Sequence, residues 1–103
     1  MSIIQRLRTE HPKLNPLFAA VENLKEPSEI KQFYREYVDW LSSDSKYIEG
    51  VSKTAGRNYD PEIIANCNIR VVLGGRTNPL WEKWMDALPE VKDHVYDNVF
   101  RSV

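Results

Sequence analysis

The residues best suited to binding a small ligand surround a glycine pair in the second half of the chain. Residues 74–78 join two glycines and an arginine to the start of a predicted helix. Free amides at a helix N-terminus attract anions, and an arginine adds a bidentate contact to phosphate or carboxylate. The spacing is not that of a Walker loop, which also requires a Gly-Lys-Ser/Thr ending. The alternative is an ordinary helix end followed by a turn.

Two polar residues of the preceding segment extend this hypothesis. If residues 61–73 form a helix, Asn66 and Arg70 lie one turn apart on one edge, which would open towards the glycine turn or a groove. Two neighbouring arginines repel each other unless an anion or an acidic partner joins them. The residues predicted to face such a ligand are Asn66, Arg70, Gly75 and Arg76. The competing interpretation is that Arg70 caps a neighbouring helix or pairs with a surface acid.

Metal binding and thiol chemistry have weaker support. Glu90, His94 and Asp97 occur at i, i+4 and i+7, so on a helix they would line one face with possible divalent-metal ligands. His11 is the only other histidine, and a solvated acidic face explains the pattern better. Cys67 lies in an apolar stretch, where cysteine packs as a small hydrophobe. We therefore expect no metal, no cofactor and no catalytic residue.

A basic segment, residues 45–58, is the candidate for contact with nucleic acid. Lys46, Lys53 and Arg57 outnumber its single acid, and Tyr47 offers a ring that can stack on a base. Residues 78–98, in the last two predicted helices, by contrast carry five acids against two lysines, which phosphate repulsion disfavours at a recognition face.

All these side chains must be positioned around one amphipathic segment, residues 27–43. At about 100° per residue its large apolar side chains fall in one sector of roughly 160°, without a charge among them. Such segregation is typical of a helix that packs on a hydrophobic core. The side chains predicted to form this core face are Ile30, Phe33, Tyr34, Tyr37, Val38, Trp40 and Leu41.

Proline at the first helical position marks further helix starts, because its missing N–H would be unpaired there anyway. The start signals are Asn15-Pro16, Glu26-Pro27, Asp60-Pro61, Asn78-Pro79 and Pro89. Besides the central helix, we predict helices over residues 2–8, 16–25, 61–73, 78–88 and 89–101. Residues 42–59 are polar and contain two glycines, so we predict a mobile or functional connection there, with at most a weak helical turn capped by Asp44.

Residues 61–73 leave two structures open. Residues 68–73 are short, rich in β-branched side chains and closed by two glycines, as a strand would be. A helix is favoured, because Asp60 is a good N-cap and Gly74 a natural left-handed stop. On that helix Asn68 lies within the apolar sector, so its amide must be paired. We expect its partner to be a buried backbone group or a tyrosine hydroxyl.

The helix over residues 78–88 carries an apolar face too wide for one neighbouring helix to cover. This width predicts a homodimer whose interface contains Trp81, Trp84 and Met85.

Composition sets the outer limits. A chain of 103 residues, 42% hydrophobic and 28% charged, has the make-up of one globular domain, here residues 1–103. A net charge of −1 gives no overall attraction to nucleic acid or to anionic membranes. No signal-peptide core or membrane span is recognisable, and one cysteine allows no internal disulfide, so we expect a soluble cytoplasmic protein.

These observations together predict a single all-α domain, a compact bundle of five to six short helices around residues 27–43. Catalytic residues are scarce, whereas aromatic residues, which anchor interfaces, are plentiful. The favoured function is therefore non-enzymatic and regulatory or accessory, through a protein partner or self-association. Nucleic-acid binding by residues 45–58 is the alternative, and a small-anion binder or enzyme at residues 74–78 is the third possibility.

Overall fold

All regular secondary structure in the described part of the chain is helical. The computed structural model describes residues 9–94 and the side chains of residues 9–92, and no strand occurs within these limits. Its elements are a 3-10 helix, Pro12–Leu14, followed by α1 (Asn15–Asn23), α2 (Pro27–Ser42), α3 (Ser45–Ala55), α4 (Pro61–Leu73), α5 (Leu80–Ala87) and α6 (Pro89–His94). Thr9 and Glu10 are helical as well. The prediction of an all-α helical bundle is confirmed.

Three of the five predicted start signals act as helix caps. The Asp60 carboxylate accepts a hydrogen bond from the Ile63 amide at 2.9 Å, at the beginning of α4. At the beginning of α2, the Glu26 amide donates to Oε1 of Glu29 at 3.1 Å. The Asn78 side chain accepts from the Leu80 amide at 2.9 Å, so α5 begins two residues later than predicted. Local side-chain chemistry thus sets these boundaries.

Helix α2 lies at the centre of the bundle and contacts α1, α3, α4 and α5. Its buried side chains are spaced i, i+4, i+7 and i+11, which is the spacing of one helical face. They are Ile30, Tyr34, Tyr37 and Leu41. They belong to one hydrophobic cluster that also contains buried residues of α1, α4, α5 and α6. The predicted central role of this helix is therefore confirmed.

Trp40 was wrongly predicted to lie in this core, since 41% of the residue is exposed. Its position lies about 90° from the centre of the buried stripe of α2 at 100° per residue, at the limit of an apolar sector. Phe33, on the same edge, is half-buried, and its ring lies in a T-shaped contact with the Trp84 ring at a centroid distance of 6.2 Å.

Residues 42–59 are not the irregular connection that the polar sequence suggested. Helix α3 runs through most of this segment; the Asp44 carboxylate caps its start by accepting from the Tyr47 amide at 3.1 Å. Gly56 ends it in a left-handed conformation with φ 70°. No residue of α3 is buried, although Tyr47, Ile48 and Val51 pack partly against the core. An effective cap and this partial packing outweigh the cost of Gly50 within the helix.

Helix α4 resolves the choice between helix and strand. It begins at the Asp60 cap and ends at Gly74, whose φ is 82°, as the sequence predicted. The Asn68 amide donates to the hydroxyls of Tyr37 and Tyr47 at 3.1 and 3.2 Å, which confirms the expected tyrosine partner. One polar side chain of α4 therefore joins α2 to α3.

Some predictions concern residues outside the described part. The helix predicted for residues 2–8 and the end of the one predicted for residues 89–101 lie there, as do the side chains of His94 and Asp97. Within the described residues, every helix is too short or too polar to cross a membrane.

Candidate functional site

Asn66 does not belong to a ligand-facing cluster, because none of its surface is exposed. Tyr34 donates its hydroxyl to Oδ1 of Asn66 at 3.0 Å across the α2–α4 contact. The prediction placed Asn66 on an open edge of α4 beside Arg70. The error has a physical reason: α2 and α1 both pack on α4, so the buried sector of α4 is wider than its apolar stripe.

Arg70 and Arg76 do lie near each other. Burial lowers the pKa of Arg70, and the positive charge of Arg76 lowers it further. The Arg70 guanidinium also lies 5.5 Å from the centre of the Trp81 ring, a cation–π contact.

The side chain of Asn78 bridges the two ends of the glycine turn through hydrogen bonds. Gly75 has a φ of 132°, which favours glycine. The Asn78 side chain donates to the Leu73 carbonyl at 2.7 Å and accepts from the Leu80 amide at 2.9 Å. The first amide of α5 is thus already bonded, which weakens the reason for placing an anion there.

The three residues predicted at a dimer interface are buried within one chain. Trp81, Trp84 and Met85 are 7%, 0% and 3% exposed. Helices α2 and α6 both contact α5, so the wide apolar face is covered without a second copy. The argument that this face needs a dimer is therefore wrong.

The basic segment becomes one side of α3 and the turn after it. Lys46, Lys53 and Arg57 are exposed, and a groove lined partly by Lys53 and Arg57 lies at the C-terminal end of the helix. The Tyr47 ring is not freely presented, because the ammonium of Lys13 lies 5.6 Å from its centre. The segment keeps its cations but offers less aromatic surface than the sequence suggested.

The most distinctive surface of the described residues centres on Trp40. The Lys13 ammonium lies 3.9 Å from the centre of a Trp40 ring and 2.8 Å from Oδ2 of Asp44. This pairing lowers the pKa of Asp44, and the hydrogen bond from the Tyr47 amide lowers it further. These contacts make one group of Trp40, Lys13, Asp44 and Tyr47. We call this group, together with Val71, the Trp40 surface.

Val71 extends this surface on the side of Tyr47. It is 51% exposed, and it shares with Tyr47 the lining of a small cavity of about 190 Å³. His11, Leu14 and Asn68 complete that lining. Trp40 and Val71 are the large hydrophobic residues exposed in the described part of the chain. Tyr47 thus connects a second exposed apolar side chain to the group around Trp40.

Partly buried hydrogen bonds hold the group in place from below. Tyr37 donates its hydroxyl to the Lys13 carbonyl at 2.6 Å, and the Asn68 amide donates to that hydroxyl and to the Tyr47 hydroxyl. Burial raises the pKa of Tyr37 well above its ordinary value, so the hydroxyl stays protonated and able to donate. The Tyr37 and Trp40 rings lie 5.8 Å apart. The Trp40 surface therefore has a rigid base.

Sequence reasoning missed this surface, although one signal for it was present. Trp40 stands at the edge of the apolar sector of α2, where a large side chain is only partly covered. The approach of Lys13, from a different element, follows from the tertiary fold and has no counterpart in local spacing.

The remaining chemistry of the described residues is limited. No group of three or more histidine, cysteine, aspartate or glutamate side chains is placed to hold a metal ion. Burial raises the pKa of the Cys67 thiol, against the opposing effect of Arg70, so this cysteine lacks the lowered pKa of a reactive nucleophile. Comparisons with protein-family models, curated proteins and solved structures give no match.

Proposed function

We propose that this chain is a non-enzymatic protein-binding module with a regulatory or accessory role in the cytoplasm. The observation that carries the proposal is Trp40, which is 41% exposed on the central helix while Trp81 and Trp84 are buried. Tryptophan is among the residues that contribute most to binding at protein interfaces.

The surroundings of Trp40 also suit an interface. A typical interface has an apolar centre and a polar rim. Here Trp40 and Val71 supply apolar area, while Lys13 and Asp44 supply polar groups. The partly buried hydrogen bonds of the Tyr37 and Tyr47 hydroxyls beneath keep the surface rigid, which reduces the entropy lost on binding. The proposed partner is another protein.

Site-directed crosslinking in the producing cell tests this proposal. A photoreactive benzoylphenylalanine at Ser43, exposed and close to Trp40 in sequence, should give a discrete crosslinked protein. The same group at Arg35, which lies about 140° from Trp40 around α2, is the matched control and should give none of it. Trp40→Ala or Val71→Asp, added to the Ser43 variant, should abolish the product.

Each other outcome has a definite meaning. Equal crosslinking from Ser43 and Arg35, or a product that survives both substitutions, would refute the proposal. A product of twice the chain mass from purified protein would identify the partner as a second copy.

Nucleic-acid binding is the second candidate, and the exposed cations of α3 favour it. Lys46 and Lys53 lie on the helix that also carries Tyr47, and Arg57 lies in the turn that follows it. Fluorescence anisotropy with a labelled single-stranded oligonucleotide at low salt tests it. Binding that falls steeply with salt and is lost on Lys53→Ala with Arg57→Ala would replace the first proposal.

A further inference from the structure

The ammonium of Lys13 occupies a site with the composition of a cation-binding cage. Two aromatic rings, Trp40 and Tyr47, lie 3.9 and 5.6 Å from it, and the Asp44 carboxylate lies at 2.8 Å. Aromatic faces attract cations through the ring quadrupole, and such cages recognise alkylammonium groups. The carboxylate adds a charge-assisted hydrogen bond to any ammonium that retains an N–H.

The walls of this cage are held by contacts that do not involve the Lys13 side chain. Asp44 is fixed as the N-cap of α3 by the Tyr47 amide at 3.1 Å. The Tyr47 hydroxyl is held by Asn68 at 3.2 Å, and Trp40 packs beside Tyr37 at a ring distance of 5.8 Å. The cage therefore keeps its shape when the ammonium leaves.

Lys13 itself is easier to displace than the walls are to distort. It belongs to the short 3-10 helix Pro12–Leu14, outside the six α-helices. Its backbone is anchored by the Tyr37 hydroxyl bonded to its carbonyl, so the side chain can swing out without moving the chain. A partly exposed ion pair contributes little to stability, because water solvates both charges well.

We propose that this cage is an alkylammonium-binding site, and that a lysine side chain of the partner protein replaces Lys13 in it on binding. The partner's lysine is free or partly methylated, because the Asp44 contact requires an N–H. This inference rests on the proposed function and identifies the chemistry by which the Trp40 surface selects its partner.

Binding of defined lysine derivatives to the purified full chain tests the inference. The probes are N-acetyl-lysine methylamide and its ε-dimethyl and ε-trimethyl forms, and the readout is the NMR signal of the Trp40 indole N–H. In Lys13→Ala, the free and dimethyl probes should bind with a Kd of about 1 to 10 mM, typical of one unlinked contact. The trimethyl probe should bind about tenfold more weakly, because it cannot donate to Asp44.

The wild-type chain should bind the same probes at least about tenfold more weakly than Lys13→Ala, because the tethered ammonium competes at high effective concentration. Lys31→Ala, which removes an exposed lysine of α2, is the matched control and should behave as wild type. Asp44→Asn in the Lys13→Ala background keeps a cap acceptor and should abolish the preference among the probes. Should Lys13→Ala not fold, Lys13→Gln keeps much of the side chain without its charge.

Three results would overturn the inference. The first is the absence of a saturable shift in folded Lys13→Ala or Lys13→Gln up to about 100 mM probe, far above the expected range. The second is binding that persists after Trp40→Leu, and the third is a trimethyl probe that binds as well as the others.

The crosslinking experiment distinguishes a failure of the cage inference from a failure of the proposed function. A crosslink that needs Trp40, without probe binding, keeps the protein interface and removes the cage. Probe binding without a crosslink keeps the cage and removes the protein partner.

Discussion

The buried pair of Tyr34 and Asn66 allows a test of the core in which two substitutions should together cost less than one. The hydroxyl of Tyr34 donates to Oδ1 of Asn66 at 3.0 Å, and both residues are buried. The Asn66 Nδ2 atom is also buried, and it has no hydrogen-bond partner among the described residues. Three polar atoms, the Tyr34 hydroxyl oxygen and Oδ1 and Nδ2 of Asn66, are therefore buried with one hydrogen bond among them.

The expected magnitudes follow from this arrangement. Tyr34→Phe leaves the Asn66 amide buried without any partner, which costs about 1 to 3 kcal/mol. Asn66→Leu leaves the Tyr34 hydroxyl unpaired at a similar cost. The double variant removes both polar groups and roughly keeps their shape, so its unfolding free energy should return to within about 1 kcal/mol of wild type. The two single effects are thus strongly non-additive.

Urea unfolding followed by circular dichroism measures these free energies, provided that the denaturant slope stays constant among the variants. Gln32→Leu, an exposed amide on α2, is the control and should change stability by less than about 0.5 kcal/mol. A harmless Tyr34→Phe, or a double variant whose cost is the sum of the two single costs, would show that the pair is not coupled.

Three further predictions concern the Trp40 surface and the core beneath it. In denaturant unfolding, Trp84→Ala should lower the unfolding free energy by about 3 to 5 kcal/mol and Trp40→Ala by at most about half as much. The reason is that only removal of the Trp84 ring would leave a closed cavity. Equal losses of stability would contradict this. Lys13 lowers the pKa of Asp44 in the folded protein, so wild type should melt at a higher temperature than Asp44→Asn. This difference in melting temperature should be complete above about pH 4, and it should disappear as the pH falls through the lowered pKa of Asp44. An advantage that persists in strong acid would show that the carboxylate charge is not its source. Cys67, whose pKa is raised by burial, should react slowly with a thiol reagent until the protein unfolds, and rapid labelling of the native chain would refute its burial.

The helices that were predictable from sequence are those whose ends carry their own signals. For α4, Asp60 and Gly74 act within one turn of the helix ends, so no knowledge of the rest of the fold was needed. The pairing of Asn68 was also predictable, because a buried amide requires partners and tyrosine is plentiful. Helix α3 was missed because its composition is polar and Gly50 weakens it, while its stability depends on tertiary contacts of Tyr47 and Val51.

The site residues were predicted less well, because exposure depends on neighbours rather than on spacing. Asn66 and Arg70 are both polar and lie on one edge of α4. Only Asn66 is fully buried, where it accepts a hydrogen bond from the Tyr34 hydroxyl. Trp40 and Trp84 both fall within the apolar sectors of their helices, yet Trp40, at the edge of its sector, is exposed and Trp84 is enclosed. A helical period gives the direction of a side chain within its own helix, and it cannot give how far the neighbouring helices extend.

The Trp40 surface takes its geometry from the polar contacts of the core. Two side-chain hydrogen bonds, Tyr34 with Asn66 and Tyr37 with Asn68, join α2 to α4 in addition to their apolar packing. A slide of α4 by one residue would break both, so together they fix the register of the two helices. Asn68 then passes this register to α3 by donating to the Tyr47 hydroxyl. Because Tyr47 is one wall of the cage and the Tyr37 ring supports another, loss of Asn68 should loosen both walls without removing any group that faces the ligand.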